Sequence, residues 1–373
     1  PVKKIKTILK LSALFFNLYP LLLIIGALIA WATNGSNFIL VENGFVNYFL
    51  IYPFWIILTL MLQSLLYFVL GDIIRSVMFF LFREKRKITR KYFHKAILLI
   101  TALFVLYVPA RVIYDLNAIE VNEYIYEKEN LSTALEDFKI VLIADVQADQ
   151  YTNNSRLQNY IDEVNSLNPD LVLIAGDVIT SSAKYIDTAA EFIGKIKAEN
   201  GVYACVGDHD NWAYGRDYQR SVSEIVEALE KYNVPMIDND NKSIEVDSAR
   251  IGMTFVTDNY VTRISPQRLD SLVAANHLDF KIFITHQPNQ RMVDKAEEYS
   301  YNLFFAGHTH GGQISLSFPF QNLSVTLFET KYVKGDFSFG DMMMIVNGGL
   351  GVSIAPVRYN STADISLITL KNK

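Results

Sequence analysis

The hydrophobic residues of this chain follow two different patterns, and the first is a set of long apolar runs near the start. Residues 11–32 contain no charged side chain, and the only charged side chains in residues 45–82 are Asp72 and Arg75. Residues 96–110 form a shorter run of the same kind. A helix of about 20 apolar residues is long enough to cross a bilayer. We therefore predict an all-α transmembrane region over residues 1–115, with about three helices.

Basic residues flank these runs and predict their orientation. Lysines precede the first run, and residues 83–95 are densely basic. Because cytoplasmic loops are enriched in Lys and Arg, both segments are predicted to face the cytoplasm. If residues 45–82 form one long helix, the chain is a multi-pass cell-membrane protein, and the part after residue 115 lies on the non-cytoplasmic face. If residues 45–82 form two spans, that part lies on the cytoplasmic face. A basic start is also typical of a signal peptide, but we interpret the first run as a retained helix.

The second pattern begins at residue 137, where short apolar runs alternate with amphipathic stretches. The strand-like runs are 138–144, 171–175, 202–206, 244–256, 280–284, 301–306, 314–316, 341–346 and 364–370. Stretches with helical periodicity lie at 155–166, 187–198, 221–232 and 266–276. This alternation predicts an α/β domain over residues 137–373. Residues 116–136 are acidic and contain no glycine, so we predict a partly ordered linker there.

Polar residues of metal-binding type follow five of these strand-like runs. They are Asp145 and Gln147, Asp177, Asp208 and His209, His286, and the pair His308 and His310. The carboxyl ends of parallel strands meet at one edge of a sheet, where ligands bind. One Asp after a strand is equally typical of a helix cap, but five such strand ends together favour a site. Because neighbouring carboxylates repel unless cations lie between them, the pattern predicts a metal centre.

The motifs at these strand ends resemble those of the calcineurin-like metallophosphoesterase superfamily. That pattern is D-x-H, GD, GNH-D/E, a later His and GHxH. Here it reads Asp145-Val146-Gln147, Gly176-Asp177, Gly207-Asp208-His209-Asp210, His286 and Gly307-His308-Thr309-His310. The continuation to Gln313 and the tail containing Arg358 are similar to a membrane-anchored bacterial branch. The resemblance covers residues 138–370 and implies a four-layer αββα sandwich.

The resemblance also implies a role for each residue. Asp145, Gln147, Asp177 and His310 would form the first metal site, and Asp208, His286 and His308 would complete the second, with Asp177 bridging. His209 would be the catalytic residue, as an acid or as a stabiliser of the transition state. Two divalent ions would clamp a phosphoryl group and lower the pKa of a water. We also predict substrate contacts for Asp210, Trp212 and Arg358.

Two positions depart from the family pattern. Gln147 stands where a histidine is expected, and Asp208 stands where an asparagine is expected. Three carboxylates against two divalent ions leave a net charge of about +1, compared with about +2 for the usual set. More oxygen ligands and more negative charge favour Mn²⁺ or Mg²⁺, with Zn²⁺ and Fe as alternatives. A weakened first site and a single-metal enzyme remain open.

Composition narrows the class of function. The formal net charge of −5 gives no basic excess that would indicate nucleic-acid binding. The single cysteine, Cys205, excludes an intrachain disulfide, and we interpret it as a small core residue. We predict a metal-dependent hydrolase of phosphoester or pyrophosphate bonds. The apolar runs indicate the bilayer as partner and a phosphorylated lipid or lipid-linked molecule as substrate. The alternative is a non-catalytic membrane sensor that binds metal or phosphate.

Overall fold

The computed structural model describes residues 2–32, 42 and 44–373, and it divides the chain into two compact units. The first, here called the helical unit, contains Pro1–Asn117, Ile314–Ser324 and Ala355–Asn360. The second, here called the sandwich unit, contains Ala118–Gln313, Val325–Ile354 and Ser361–Lys373. Two segments from the C-terminal part of the chain thus belong to the helical unit, which differs from the predicted single domain over 137–373.

The helical unit contains long apolar helices. Its elements are α1 (Val2–Ala32), α2 (Gly44–Val46), a π-helical segment (Asn47–Ile51), α3 (Tyr52–Leu81) and α4 (Arg86–Asn117). By length and composition, Gly44–Leu81 and Arg83–Asn117 can each cross a membrane. The run at 45–82 is therefore one continuous helical stretch, as predicted. The predicted first span lies within α1, where the apolar part Phe16–Gly26 is shorter, so a third span stays a prediction. Most of the predicted polar connection, 33–44, lies outside the described residues.

A buried amide joins the two inserted segments to α3 within the helical unit. The side chain of Gln63 is fully buried. Its Nε2 donates to Ser317 O at 2.8 Å, and its Oε1 accepts from Ser317 N at 2.9 Å. The Tyr359 hydroxyl donates to the same Oε1 at 3.0 Å. Gln63 therefore pairs with the backbone of β10 (Leu316–Ser317) much as a neighbouring strand would.

The predicted linker, residues 116–136, contains a strand of the sandwich unit. β1 (Ile119–Lys128) runs parallel to β14 (Ala363–Asn372), with Ile119 opposite Ala363 and Lys128 opposite Asn372. β1 forms the edge of its sheet, and charged side chains are common on edge strands because they discourage pairing with other chains. The acidic residues that suggested a linker are therefore compatible with an ordered edge strand.

The sandwich unit is built from two six-stranded sheets, as predicted for an αββα sandwich. The first has the strand order β1-β14-β2-β3-β4-β5, and the second has β12-β13-β9-β8-β7-β6. Their remaining strands are β2 (Lys139–Ile143), β3 (Leu171–Ile174), β4 (Val202–Cys205), β5 (Met236–Ile237), β6 (Asp240–Val246), β7 (Ala249–Val256), β8 (Phe280–Thr285), β9 (Leu303–Ala306), β12 (Gly335–Phe339) and β13 (Met342–Val346). A short pair, β10 and β11 (Asn322–Leu323), lies in the helical unit.

Three hydrophobic cores pack against the two sheets, one between them and one on the outer face of each sheet. Leu142, Leu173, Phe255 and Ile282 belong to the core shared by the two sheets. Because strands buried on both faces carry continuous apolar runs, β2 and β3 lack the alternation of a half-exposed strand. Cys205 is buried in this same core, as predicted.

Helices form the two outer layers. α5 (Asn154–Ser166), α6 (Ile186–Ile193) and α7 (Tyr218–Glu230) contribute to the core on the first sheet, and α8 (Pro266–Ala274) and α9 (Gln290–Glu298) to the core on the second. Four of the five match the predicted helices, with shifted ends. α9 was missed because only Met292, Val293 and Ala296 are buried along its nine residues. The loops after β2, β3, β4, β8 and β9 carry the predicted ligands.

Candidate metal centre

Strained backbone positions the predicted ligands. Five of them have positive φ: Asp145 (50°), Gln147 (50°), Asp177 (58°), His308 (72°) and His310 (49°). L-residues seldom adopt this conformation, and such strain persists where surrounding structure compensates for it, most often at functional sites. In His308-Thr309-His310 the two positive φ values replace the alternation of a strand, so the imidazoles are not forced to opposite faces.

Two glycines allow the loops to approach one another closely. A Cβ added to Gly207 would lie 2.1 Å from Asp177 Oδ1, and one added to Gly307 would lie 2.4 Å from Ala144 Cβ. Real Cβ atoms do not come this near, so a side chain at either position would push Asp177 or the end of β2 away. These glycines bring the ends of β2, β3, β4 and β9 together.

The ligands form two overlapping groups. Asp208, His286 and His308 offer ligand atoms within 4.8 Å of one another, and Asp145, Asp177 and His286 do the same. His286 is shared: its Nε2 lies 3.3 Å from Asp177 Oδ2 and 3.4 Å from Asp208 Oδ2. His308 Nδ1 lies 3.0 Å from Asp208 Oδ2.

Gln147 and His310 join the second of these groups. His310 Nε2 lies 3.4 Å from Asp145 Oδ1. Gln147 Nε2 donates to Asp177 Oδ2 at 2.8 Å, so the amide orients that carboxylate. The structure therefore brings all seven predicted ligands together, with His310 beside Asp145 and His308 beside Asp208. How they divide between two ions stays a prediction.

The donor atoms fit a bound cation. Asp145 Oδ1 and Gln147 Oε1 are buried and have no hydrogen-bond partner in the described part of the chain. Buried polar atoms are normally paired, and each exception calls for an explanation such as a bound ion. His286 Nδ1 lies 2.7 Å from Ala175 O, and a proton held there leaves the Nε2 lone pair directed at the carboxylates. Oxygen and imidazole donors in this arrangement suit divalent metal ions.

The electrostatics of the group support the same conclusion. Burial raises the pKa of Asp145 to about 7. Burial opposes ionisation of Asp208 as well, but hydrogen bonds and charge from His286 and His308 hold its pKa below the ordinary value. Although burial disfavours a charged imidazole, the charge of Asp177 and its hydrogen bonds raise the pKa of His286. Protons thus stabilise the clustered carboxylates, and a divalent cation would take over that role.

His209 lies beside the ligands. Its backbone N donates to Asp177 Oδ1 at 2.8 Å, and its Nδ1 lies 2.5 Å from Thr180 O. Its Nε2 lies 3.1 Å from Ser353 Oγ. Because a carbonyl only accepts, the Thr180 contact places a proton on Nδ1 and leaves Nε2 beside the Ser353 hydroxyl.

Three residues that hold the ligands were not predicted from the sequence. Glu329 Oε1 lies 3.0 Å from His308 Nε2 and also accepts from the Tyr260 hydroxyl. Gln287 Nε2 donates to Asp208 Oδ2 at 2.8 Å, and Tyr260 N donates to Asp208 Oδ1 at 2.8 Å. Both Asp208 oxygens thus accept from fixed donors, which one asparagine oxygen could not do. Of these three residues, only Gln287 had a signal in the sequence, because it directly follows the predicted ligand His286.

The predicted substrate contacts have different surroundings. Asp210 is fully buried, and its oxygens accept from the backbone N–H groups of Asp177, Val178 and Gly207, which argues against direct contact with substrate. Trp212 is half-buried and packs edge-on against His209, with ring centroids 4.8 Å apart. Arg358 is buried in the helical unit, so its contact with substrate stays a prediction.

Comparison with known proteins supports this reading of the site. The family model described as calcineurin-like phosphoesterase matches residues 138–312. An uncharacterized metallophosphoesterase of Bacillus subtilis is 27% identical over 258 residues, which cover 68% of this chain and 86% of that protein. One of Campylobacter jejuni is 26% identical over 279 residues, covering 74% of this chain and 69% of that protein.

Similar proteins also occur in animals. A Danio rerio protein named transmembrane protein with metallophosphoesterase domain is 27% identical over 252 residues, which cover 65% of this chain and 55% of that protein. The resemblance is therefore wider than a bacterial branch. The family model and the relatives named as metallophosphoesterases assign a calcineurin-like phosphoesterase domain to residues 138–312, and they support metal-dependent hydrolysis of phosphoester bonds.

Proposed function

We propose that this hydrolase acts on a phosphorylated membrane lipid or a lipid-linked phosphoester or pyrophosphate. The supporting observation is that one chain combines the metal-ligand groups with two helices able to cross a membrane. A site tethered in this way meets lipid phosphates at high local concentration. The name of the Danio rerio relative, transmembrane protein with metallophosphoesterase domain, describes the same combination.

His209 is proposed as the acid that protonates the leaving oxygen. Thr180 O fixes the proton on Nδ1, so the proton that His209 gives up comes from Nε2. Ser353 Oγ, 3.1 Å from Nε2, accepts a hydrogen bond from this N–H group at rest, and the leaving oxygen takes its place in the reaction. The hydrogen bond from His209 N to Asp177 couples the position of the ring to the ligand group.

The ligand groups supply the electrostatics of the reaction. Divalent ions held by these residues would neutralise charge on a phosphoryl group and would lower the pKa of a water. Asp145, Asp177, Asp208 and Gln147 present oxygen donors, and we propose Mn²⁺ or Mg²⁺ as the ions on that ground. Metal analysis of the purified full chain tests this choice, since two tightly held zinc ions per chain would overturn it.

Activity is tested on the detergent-solubilised full chain with an aryl phosphate and an aryl phosphodiester in added Mn²⁺. We expect Asp177→Asn and His209→Gln to lose at least 100-fold in kcat/KM, while Ser223→Ala, on the exposed face of α7, retains wild-type activity. Equal rates in all four proteins would assign the turnover to a contaminant. Metal binding without turnover would favour the alternative function, a non-catalytic membrane sensor.

The substrate class is tested separately. The full chain is incubated with total membrane lipid, and mass spectrometry compares the lipids before and after, with Asp177→Asn as the control. Loss of a phosphorylated lipid only with the wild type supports the proposal. Aryl phosphate turnover with no lipid consumed would indicate a water-soluble substrate.

We also propose that the sandwich unit faces the non-cytoplasmic side. Arg86, Lys87, Arg90, Lys91 and Lys95 lie at the start of α4, and basic residues favour the cytoplasm. A single crossing by α4 then carries the chain outward. A Ser223→Cys variant labelled in intact cells by a membrane-impermeant maleimide supports this side, and labelling only after lysis would reverse it.

A further inference from the structure

Four exposed apolar side chains lie in two loops of the sandwich unit. Val325 (79% exposed), Leu327 (43%) and Phe328 (95%) belong to one 3-10 turn, and Ile354 (92%) belongs to another loop. These residues are here called the apolar rim. Single exposed apolar residues are ordinary, but large ones grouped in functional loops indicate a surface that contacts something apolar.

The apolar rim is adjacent in sequence to residues of the metal centre. Phe328 precedes Glu329, which hydrogen-bonds to His308 Nε2 at 3.0 Å. Ile354 follows Ser353, whose Oγ lies 3.1 Å from His209 Nε2. One loop therefore contacts a predicted metal ligand, and the other contacts the proposed proton donor. A surface that binds the apolar rim would lie close to the metal centre.

The same two loops lead directly into the segments that belong to the helical unit. Val325 follows Ile314–Ser324, and Ile354 precedes Ala355–Asn360. In that unit, Ile314, Leu316 and Tyr359 pack with α3 and α4 side chains. Along the chain, the apolar rim therefore lies directly next to the two segments that belong to the helical unit.

The tether between α4 and the sandwich unit is short. α4 ends at Asn117 and β1 begins at Ile119. Beyond the apolar run at 96–110, α4 continues only to Asn117, which is roughly 10 Å of helix at 1.5 Å per residue. Along the chain, only Ala118 therefore separates a helix that can cross a membrane from the first strand of the sandwich unit.

We propose that the apolar rim inserts into the interfacial layer of the bilayer that the helices cross. Apolar side chains favour the boundary between headgroups and acyl chains, where aromatic rings are especially common. Insertion would remove Phe328 and Ile354 from water and bring the site to the level of lipid phosphates. A water-soluble partner protein or a second copy of this chain is the competing occupant.

The chain offers a convenient way to test insertion, because its one native cysteine does not interfere. Cys205 is fully buried, and burial raises its pKa to about 12, so a thiol reagent labels an added surface cysteine selectively. We would introduce Phe328→Cys and Ile354→Cys separately, attach a nitroxide spin label, and reconstitute the full chain in nanodiscs of phosphatidylcholine and phosphatidylglycerol. Ser223→Cys on exposed α7 is the matched control.

Power-saturation spectroscopy then compares the collision of each label with oxygen, which concentrates in lipid, and with a water-soluble nickel chelate. We expect labels at 328 and 354 to collide at least threefold less with the chelate than the label at 223, while collision with oxygen stays the same or rises. Chelate collision equal to the control at both positions would overturn the proposal. Protection from both reagents would also overturn it, because it indicates a protein in contact with the rim.

The measurement is independent of the proposed lipid substrate. Insertion is detected without turnover, so a chain that inserts the rim but hydrolyses no lipid would retain this inference and lose the proposed substrate. An unchanged melting temperature for each labelled variant shows that the fold is intact, as expected for positions with over 90% exposure.

Discussion

Glu329 is expected to strengthen metal binding by orienting His308, although Glu329 is not itself one of the proposed ligands. His308 places Nδ1 3.0 Å from Asp208 Oδ2 and Nε2 3.0 Å from Glu329 Oε1. When the Nε2–H group donates a hydrogen bond to the Glu329 carboxylate, the lone pair on Nδ1 is left for a metal ion. The hydrogen bond also raises the basicity of Nδ1. The Tyr260 hydroxyl donates to the same Glu329 oxygen and limits its movement.

The size of the effect follows from the exposure of the carboxylate. Loss of such a supporting partner typically weakens metal affinity 10- to 100-fold. The Glu329 side chain is 42% exposed, so water screens the interaction and the lower end of that range applies. We expect Glu329→Ala to raise the Mn²⁺ dissociation constant about tenfold, or about 1.4 kcal/mol. Glu329→Gln keeps an acceptor oxygen and should lose about threefold.

Isothermal titration calorimetry of the detergent-solubilised full chain with Mn²⁺ measures these constants directly. Glu298→Ala is the matched control, because Glu298 is also a partly exposed glutamate in an ion pair, 2.7 Å from Lys295 Nζ. Its dissociation constant should equal that of the wild type. If Glu329→Ala binds Mn²⁺ within twofold of the wild type, or if Glu298→Ala loses as much, the positioning role of Glu329 is wrong.

Four further substitutions or treatments test other features. Gly207→Ala should abolish tight metal binding in calorimetry, because its Cβ would lie 2.1 Å from Asp177 Oδ1. Cys205 should not react with iodoacetamide at pH 8 in the folded protein and should react fully in denaturant, as mass spectrometry can show, because burial raises its pKa to about 12. Gln63→Leu should destabilise the helical unit by roughly 1–3 kcal/mol in thermal unfolding, since it leaves the Ser317 backbone groups unpaired. Chelation of bound metal should lower the melting temperature, since ligand at 100 times its Kd stabilises by about 2.7 kcal/mol.

Matched controls accompany these tests. Gly44→Ala should leave metal binding intact, because nothing lies within 4 Å of its added Cβ. Gln158→Ala removes an exposed amide that bonds to Asp162 and should change the melting temperature little. Normal Mn²⁺ binding by Gly207→Ala, labelling of native Cys205, or an unchanged melting temperature for Gln63→Leu or after chelation would each contradict the corresponding reasoning.

The strands and most of the ligands were predictable because their signals are local. Val141 and Leu173 lie in uninterrupted apolar runs, which strands buried on both faces produce. Asp145 and Asp177 follow such runs directly, and the sheet geometry then brings strand ends together whatever the intervening loops contain. The local pattern therefore predicted an α/β domain with a metal centre at the edge of its sheet, and the resemblance of the motifs to a known family implied the sandwich.

Contacts between distant positions decided the rest. Gln63 and Ser317 are 254 positions apart in the chain, and an amide in an apolar helix gives no sign of its partner. Glu329 lies 21 positions after His308 in a loop without periodicity, so its hydrogen bond depends on how that loop folds back. β1 looked like a linker because its pairing with β14 is set more than 240 residues later. Short-range patterns report local conformation and burial, whereas pairing of polar groups across long loops exists only once the tertiary structure has formed.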